Sequence, residues 1–292
     1  MVWATSVLPA LFPFFFFTTL LCELRFVDKL GFFMQRPLKR LYNVSNNAGL
    51  VYIMSMISGY PVGAKLISEL YQNNMITKQE SGRIHAFCST SGPIFVIGTV
   101  GSSMLGSYKA GCVILIVHLL SALLNGLLYR RVGVSLDLQK ASIFAPTKPL
   151  DNLLSNTIYQ SVISILMVGG YIALSFLFCE FLIDTHILDM LCIPLDFVLK
   201  TVGLNLQFGR CIVLGLTEIT RGNLELSSLF ATNPRIVVIL LCGIISFGGL
   251  SVTLQSMTYL SKCGITTKFY LLQKLTHCLI ATFLAVVITL WI

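Results

Sequence analysis

The chain has 292 residues, of which 55% are hydrophobic and only 11% charged, and its mean hydropathy is +0.85. Soluble domains carry about 25% charged residues, so this composition excludes an ordinary soluble globular protein. The formal net charge of +8 has no interleaved basic and aromatic block behind it, which sets nucleic-acid binding aside; basic residues also accumulate in the cytoplasmic loops of membrane proteins.

Charge-free windows occur at Met1 to Cys22, Leu41 to Ala64, Ile84 to Tyr108, Cys112 to Tyr129, Thr157 to Cys179, Ile236 to Ser261 and Leu275 to Ile292. Roughly 20 apolar residues suffice to cross a bilayer, which predicts a polytopic, all-α membrane protein. The first window has no basic n-region and no small-residue cleavage site, so it is expected to span and not to be a signal peptide.

The second window is broken by Ser58-Gly59-Tyr60-Pro61-Val62-Gly63-Ala64-Lys65. A break at membrane depth is tolerated only where protein or a watery cavity satisfies the freed backbone. The spacing therefore predicts a re-entrant hairpin of two half-helices over roughly residues 48 to 72. Thr77-Lys78-Gln79-Glu80 then has the pattern of a capping box, and the helix it starts is broken again at Ser89-Thr90-Ser91-Gly92-Pro93.

The second half repeats the pattern, with interruptions at Glu218-Ile219-Thr220-Arg221-Gly222-Asn223 and at Ser246-Phe247-Gly248-Gly249-Leu250-Ser251. Gly59 to Gly92 is 33 residues and Glu218 to Gly248 is 30. Paired interruptions in two halves point to a transporter built from repeats. The expected architecture is two inverted repeats with re-entrant helical hairpins and broken helices, residues 1–131 and 155–292, joined by a cytoplasmic linker at 132–154. In that topology the segments 23 to 47, 73 to 83, 130 to 156 and 262 to 268 share one face and hold 13 basic residues, against four on the other. The basic face is then cytoplasmic.

Lys65 and Arg221 lie at matching breaks, and an ionisable group at membrane depth usually faces a cavity or a partner. Half-helix N-termini add unpaired N–H groups and positive dipole ends. A site so built favours a small anion with two carboxylates, gripped by Arg221 as a fork and Lys65 as a point charge. The bland alternatives are an Arg221–Glu218 ion pair and snorkelling of Lys65 to the surface. Candidate substrate-binding residues are therefore Ser58, Gly59, Tyr60, Lys65, Ser91, Gly92, Glu218, Arg221, Gly248, Ser251 and Gln255. Lone Ser or Thr residues at a break can instead serve the broken backbone. His85, His118 and His277 fall in separate apolar stretches and are expected to be structural.

Nine cysteines, never closer than 13 residues, form no CxxC pair, so neither a metal nor a cofactor is expected. The Gly59-to-Lys65 run lacks the ending and the strand context of a phosphate-binding loop. HExxH and GxSxG are absent, and no enzymatic activity is expected.

The runs VLPALFPF at 7–14, SGYPVGAK at 58–65, SGPIF at 91–95, GLTEITRG at 215–222 and SFGGLSVTLQ at 246–255 resemble the YlbJ (SpoVV) family of sporulation integral membrane proteins. Their order and spacing are similar over nearly the whole chain; in the family a further hydrophobic helix usually precedes the first run. The resemblance implies a Gate, or nucleoside-recognition, domain of the kind also found in concentrative nucleoside carriers and ferrous-iron permeases. It also implies a role in moving dipicolinic acid, a small aromatic dianion, across the outer forespore membrane. A nucleoside or other small-solute carrier, and a sporulation membrane assembly factor that transports nothing, are the alternatives.

Overall fold

The computed structural model describes residues 12, 13, 15–17, 19, 20, 24, 26–133 and 153–290. Most of the expected first span and most of the linker lie outside the described residues. The described residues form helices and no strand: α1 Phe26–Tyr42, α2 Ala48–Ser58, α3 Val62–Gln72, α4 Lys78–Cys88, α5 Ile94–Met104, α6 Tyr108–Tyr129, α7 Leu153–Asp184, α8 Ile187–Thr201, α9 Gln207–Thr217, α10 Ile219–Ser228, α11 Pro234–Phe247, α12 Gly249–Leu260 and α13 Thr267–Thr289. α5 is counted with the others although it is wound as a π-helix.

Among the described residues, four stretches are long and apolar enough to cross a membrane: α6, α7, the α11–α12 run and α13. The protein is an integral membrane protein with an all-α, polytopic fold. Both predicted hairpins are present as helix pairs, α2–α3 and α9–α10, and both later interruptions are present as the broken pairs α4–α5 and α11–α12. The element order in the second half repeats that of the first. Lengths agree closely, with 11 and 11 residues for α2 and α9, 11 and 10 for α3 and α10, and 22 and 23 for α6 and α13.

Two helices were not expected. The segment 23 to 47, assigned to the cytoplasmic face as a connection, is helical over Phe26–Tyr42, and the acidic stretch after α7 contains α8. Both carry a proline and charged residues, which keeps their sequence below the spanning threshold. They occupy equivalent places, since α1 packs along α2 and α8 packs along α9. On α8, Met190, Ile193 and Phe197 are exposed; such an apolar face belongs against lipid.

Residue packing divides the chain into two interleaved units. The first contains Met1–Gly92, Leu123–Gly170 and Gln255–Phe269. Its core includes Tyr42 stacked on Phe87, with ring centroids 4.2 Å apart. Asn125 donates to the Ala86 carbonyl at 2.9 Å and ties α6 to α4. Thr77 caps α4 as the sequence predicts, its hydroxyl accepting from the Glu80 N–H at 3.2 Å. The reciprocal half of the box is different, because the Glu80 carboxylate accepts from the Ser45 N–H and so fastens the α1–α2 connection. Thr77→Ala should cost about 1 kcal/mol, read as a lowered unfolding temperature in detergent with the fold retained.

The second unit contains Pro93–Ala122, Tyr171–Leu254 and Tyr270–Ile292. Cys179, Leu182, Leu188, Cys192 and Leu214 form its buried cluster, packing α7, α8 and α9 together. The described cysteines are free thiols that behave as small apolar residues in these helices.

Candidate functional site

In the first unit, α2 ends because Gly59 adopts φ +75°, a left-handed conformation, while its N–H donates back to Ser55. A side chain at Gly59 would overlap the Gly92 backbone, its Cβ lying 2.9 Å from the Gly92 Cα. The hairpin tip and the α4–α5 break thus touch through bare backbone. Side chains support the backbone at the breaks: Thr90 Oγ1 donates to Ser55 O at 3.0 Å, beside the Gly59 N–H, and Tyr60 Oη donates to Ser89 O at 3.1 Å. Tyr60 and Thr90 therefore serve the broken backbone. Gly59, Tyr60, Gly63, His85, Ser89 and Ser256 line a cavity of about 10 Å³, the space of a single water. Ser91 is buried and Gly92 half-buried beside it, while Ser58 ends α2 and Lys65 is half-buried on α3.

In the second unit the break between α9 and α10 is one extended residue, Glu218, at φ −140° and ψ 117°. Its Oε2 accepts from the Arg221 backbone N–H at 2.7 Å, so a carboxylate caps the half-helix, where negative charge also meets the positive dipole end. The Arg221 guanidinium turns elsewhere, lying 3.6 Å from Glu180 and 3.4 Å from Glu225. The expected alternative of an Arg221–Glu218 side-chain pair is thus replaced by a backbone contact.

Glu218, Asn223 and Ser251 are fully buried. Among the described residues, Glu218 Oε1, Ser251 Oγ and both amide atoms of Asn223 meet no hydrogen-bond partner. Buried polar groups are ordinarily paired, so this concentration of unused capacity makes the region a candidate for a polar ligand. Ser251 lies beside Glu218. Gly248, at φ +88°, ends α11 and allows α12 to restart. Gln255 is buried one turn beyond Ser251 on α12.

Asn223 was not among the expected ligands. It stands inside the interrupted run, but the spacing of the break drew attention to its charged members. Lys274, a charge within the apolar α13, was not among the expected ligands either; it is 1% exposed, with its side chain 3.7 Å from where a Cβ on Gly248 would stand.

Residues 4–106 match the family model described as Gate, nucleoside recognition, a stretch that runs through the first hairpin and the first broken helix. The chain is 28% identical over 295 residues to the sporulation integral membrane protein YlbJ of Bacillus subtilis (strain 168), covering 94% of this chain and 72% of that relative. It is a membrane protein that matches the Gate model over its first third and is similar to YlbJ. Neither description names a catalytic activity. No solved structure matches the chain. The Gate match ends at the close of α5, and the helices that follow repeat the same hairpin and broken-helix order without being part of it.

Proposed function

We propose that this chain is a carrier for a small organic anion, dipicolinate, across the outer forespore membrane, built from two inverted repeats at about 1–131 and 155–292 with re-entrant hairpins. The observation that carries the anion reading is Arg221. Its nearest carboxylates are 3.4 and 3.6 Å away, longer than the roughly 2.7–2.9 Å of a tight charge-assisted bond, and its buried Nε has no hydrogen-bond partner among the described residues. Glu180 is about half exposed, so a substrate carboxylate competes with a weakly held partner. Asn223 and Ser251 supply neutral hydrogen bonds on the same unit. Lys65 is the cation at the matching break of the first hairpin.

The similarity to YlbJ across nearly the whole chain supports a sporulation role, and the paired breaks support transport over a purely structural role. A nucleoside carrier is the second reading, favoured by the uncharged, unpartnered Asn223 and Ser251 and by the Gate match. Uptake of labelled dipicolinate by the purified protein in liposomes tests the choice. A charge-assisted bond contributes on the order of 1.5–3 kcal/mol, so Lys65→Met and Arg221→Met should each weaken binding roughly tenfold to a hundredfold while the protein still inserts. Arg221→Lys should also fall if the fork grips a carboxylate. Wild-type uptake in both Met variants at matched membrane levels would sink the anion site, and uptake competed by nucleosides would favour the second reading.

A further inference from the structure

We infer that His118, His277 and Lys274 together form a buried proton-binding site through which a proton gradient drives the carrier, an inference that rests on the transport reading above. The three side chains are 0%, 1% and 1% exposed and all lie in the second unit. The two imidazoles stack with centroids 5.0 Å apart and planes 27° from parallel. His118 Nδ1 is 2.8 Å from Ser246 Oγ of α11. His277 Nε2 is 3.2 Å from the His118 carbonyl oxygen and 3.0 Å from Ser121 Oγ, while Ser121 itself donates to that carbonyl at 2.8 Å.

These contacts fix a tautomer. A carbonyl oxygen only accepts, so His277 Nε2 bears the hydrogen and Nδ1 is left as the basic position. Lys274 precedes His277 by one turn on α13, interacts electrostatically with His118, and packs its stem against Gly248. α6 contributes His118, α13 contributes Lys274, His277 and Cys278, and α11 contributes the neutral Ser246, its charged residue Arg235 lying at the far end of the helix. α12 has no charged residue.

Three basic nitrogens in one buried cluster cannot all be charged, because each added proton meets like charge and little solvent. The cluster therefore holds a limited number of protons and exchanges them, which is what intramembrane histidine and lysine groups do in proton-driven transporters. Position adds a second, independent observation. His118 is ten residues after Tyr108, the first residue of α6, and His277 is ten after Thr267, the first of α13. Equivalent residues of two related elements that touch each other lie on the axis relating them, and for inverted repeats that axis lies in the membrane plane. The pair is thus set at the depth where a coupling ion has to pass. On the acidic side hydronium gives its proton to His277 Nδ1, an N–H bond forming as an O–H bond breaks and water leaves. On the other side the same N–H proton returns to water.

The test uses the full chain in liposomes. Dipicolinate uptake into vesicles should rise several-fold when the outside is acidic relative to the inside, and a trapped pH dye should report acidification only when dipicolinate is added. His277→Gln keeps an amide donor toward Ser121, and with His118→Gln it should retain dipicolinate counterflow at equal pH but lose the response to the gradient. Wild-type counterflow with no gradient response overturns the inference, even if the variants fail to fold. If the wild type moves no dipicolinate, the transport reading fails instead. Nitrogen NMR of labelled histidine then still decides the proton site: uptake of a proton by the ring pair on acidification supports it, and two rings that never change protonation overturn it.

Discussion

Gly59→Ala should leave almost no folded protein in the membrane, whereas Gly98→Ala should leave the yield unchanged. At Gly59 two penalties combine. The left-handed φ of +75° costs a residue with a Cβ roughly 1–2 kcal/mol. The new methyl also overlaps the Gly92 backbone and approaches the Ser91 carbonyl carbon to 3.0 Å, and backbone cannot rotate away as a side chain would. Together these exceed the roughly 4 kcal/mol that marks an exceptional single substitution. Gly98, also close to a break, has nothing within 4 Å of its added Cβ, and alanine in a helix is favoured over glycine by about 0.5–1 kcal/mol. Monodisperse yield and unfolding temperature in detergent check both. Equal behaviour of the two variants would mean that the hairpin tip does not rest on the α4–α5 break.

Asn223→Leu should raise stability and remove transport at once. Both amide atoms of Asn223 are buried with no hydrogen-bond partner among the described residues, and leaving a buried group unsatisfied costs about 1–3 kcal/mol. Leucine keeps the same branched outline with no polar atom to leave unsatisfied, so the unfolding temperature should increase. If the amide is kept for the solute, uptake should fall roughly tenfold or more, the worth of about 1.4 kcal/mol of lost binding. This pattern is the ordinary trade between stability and activity at a site. A stabilised variant with wild-type uptake would remove Asn223 from the site.

The breaks were legible in the sequence because glycine and proline are costly in a helix interior, so their clusters fall where helices stop; the α2–α3 hairpin starts at the predicted residue 48 and ends at the predicted 72. The helices α1 and α8 were not legible as such, since Lys29, Arg36 and Pro37 in one, and Asp189, Pro194 and Asp196 in the other, give the composition of a connection. At the site, spacing brought out Glu218 and Ser251 but not how Arg221 is used. Whether a guanidinium meets Glu218, three residues back, or Glu180, far away in the chain, is decided by packing that no local pattern encodes. His118 and His277 are separated by 158 intervening residues. Only their equal distance from the start of the last span in each half carried a signal of their meeting.

Gly215 has a mechanical consequence. A side chain on Gly222 would run into the Gly215 backbone, and one on Gly249 would come within 2.9 Å of the Gly215 carbonyl oxygen. Three segments, α9, α10 and the start of α12, are therefore bolted at one peptide with no side chains between them to act as bearings. Close-packed backbone transmits displacement without yielding. The α9–α10 tip cannot swing aside like a flap while α12 stays behind, so Glu218, Asn223 and Ser251 travel as one block. On the transport reading, a solute held there would be freed by moving its whole berth, not by lifting a cover.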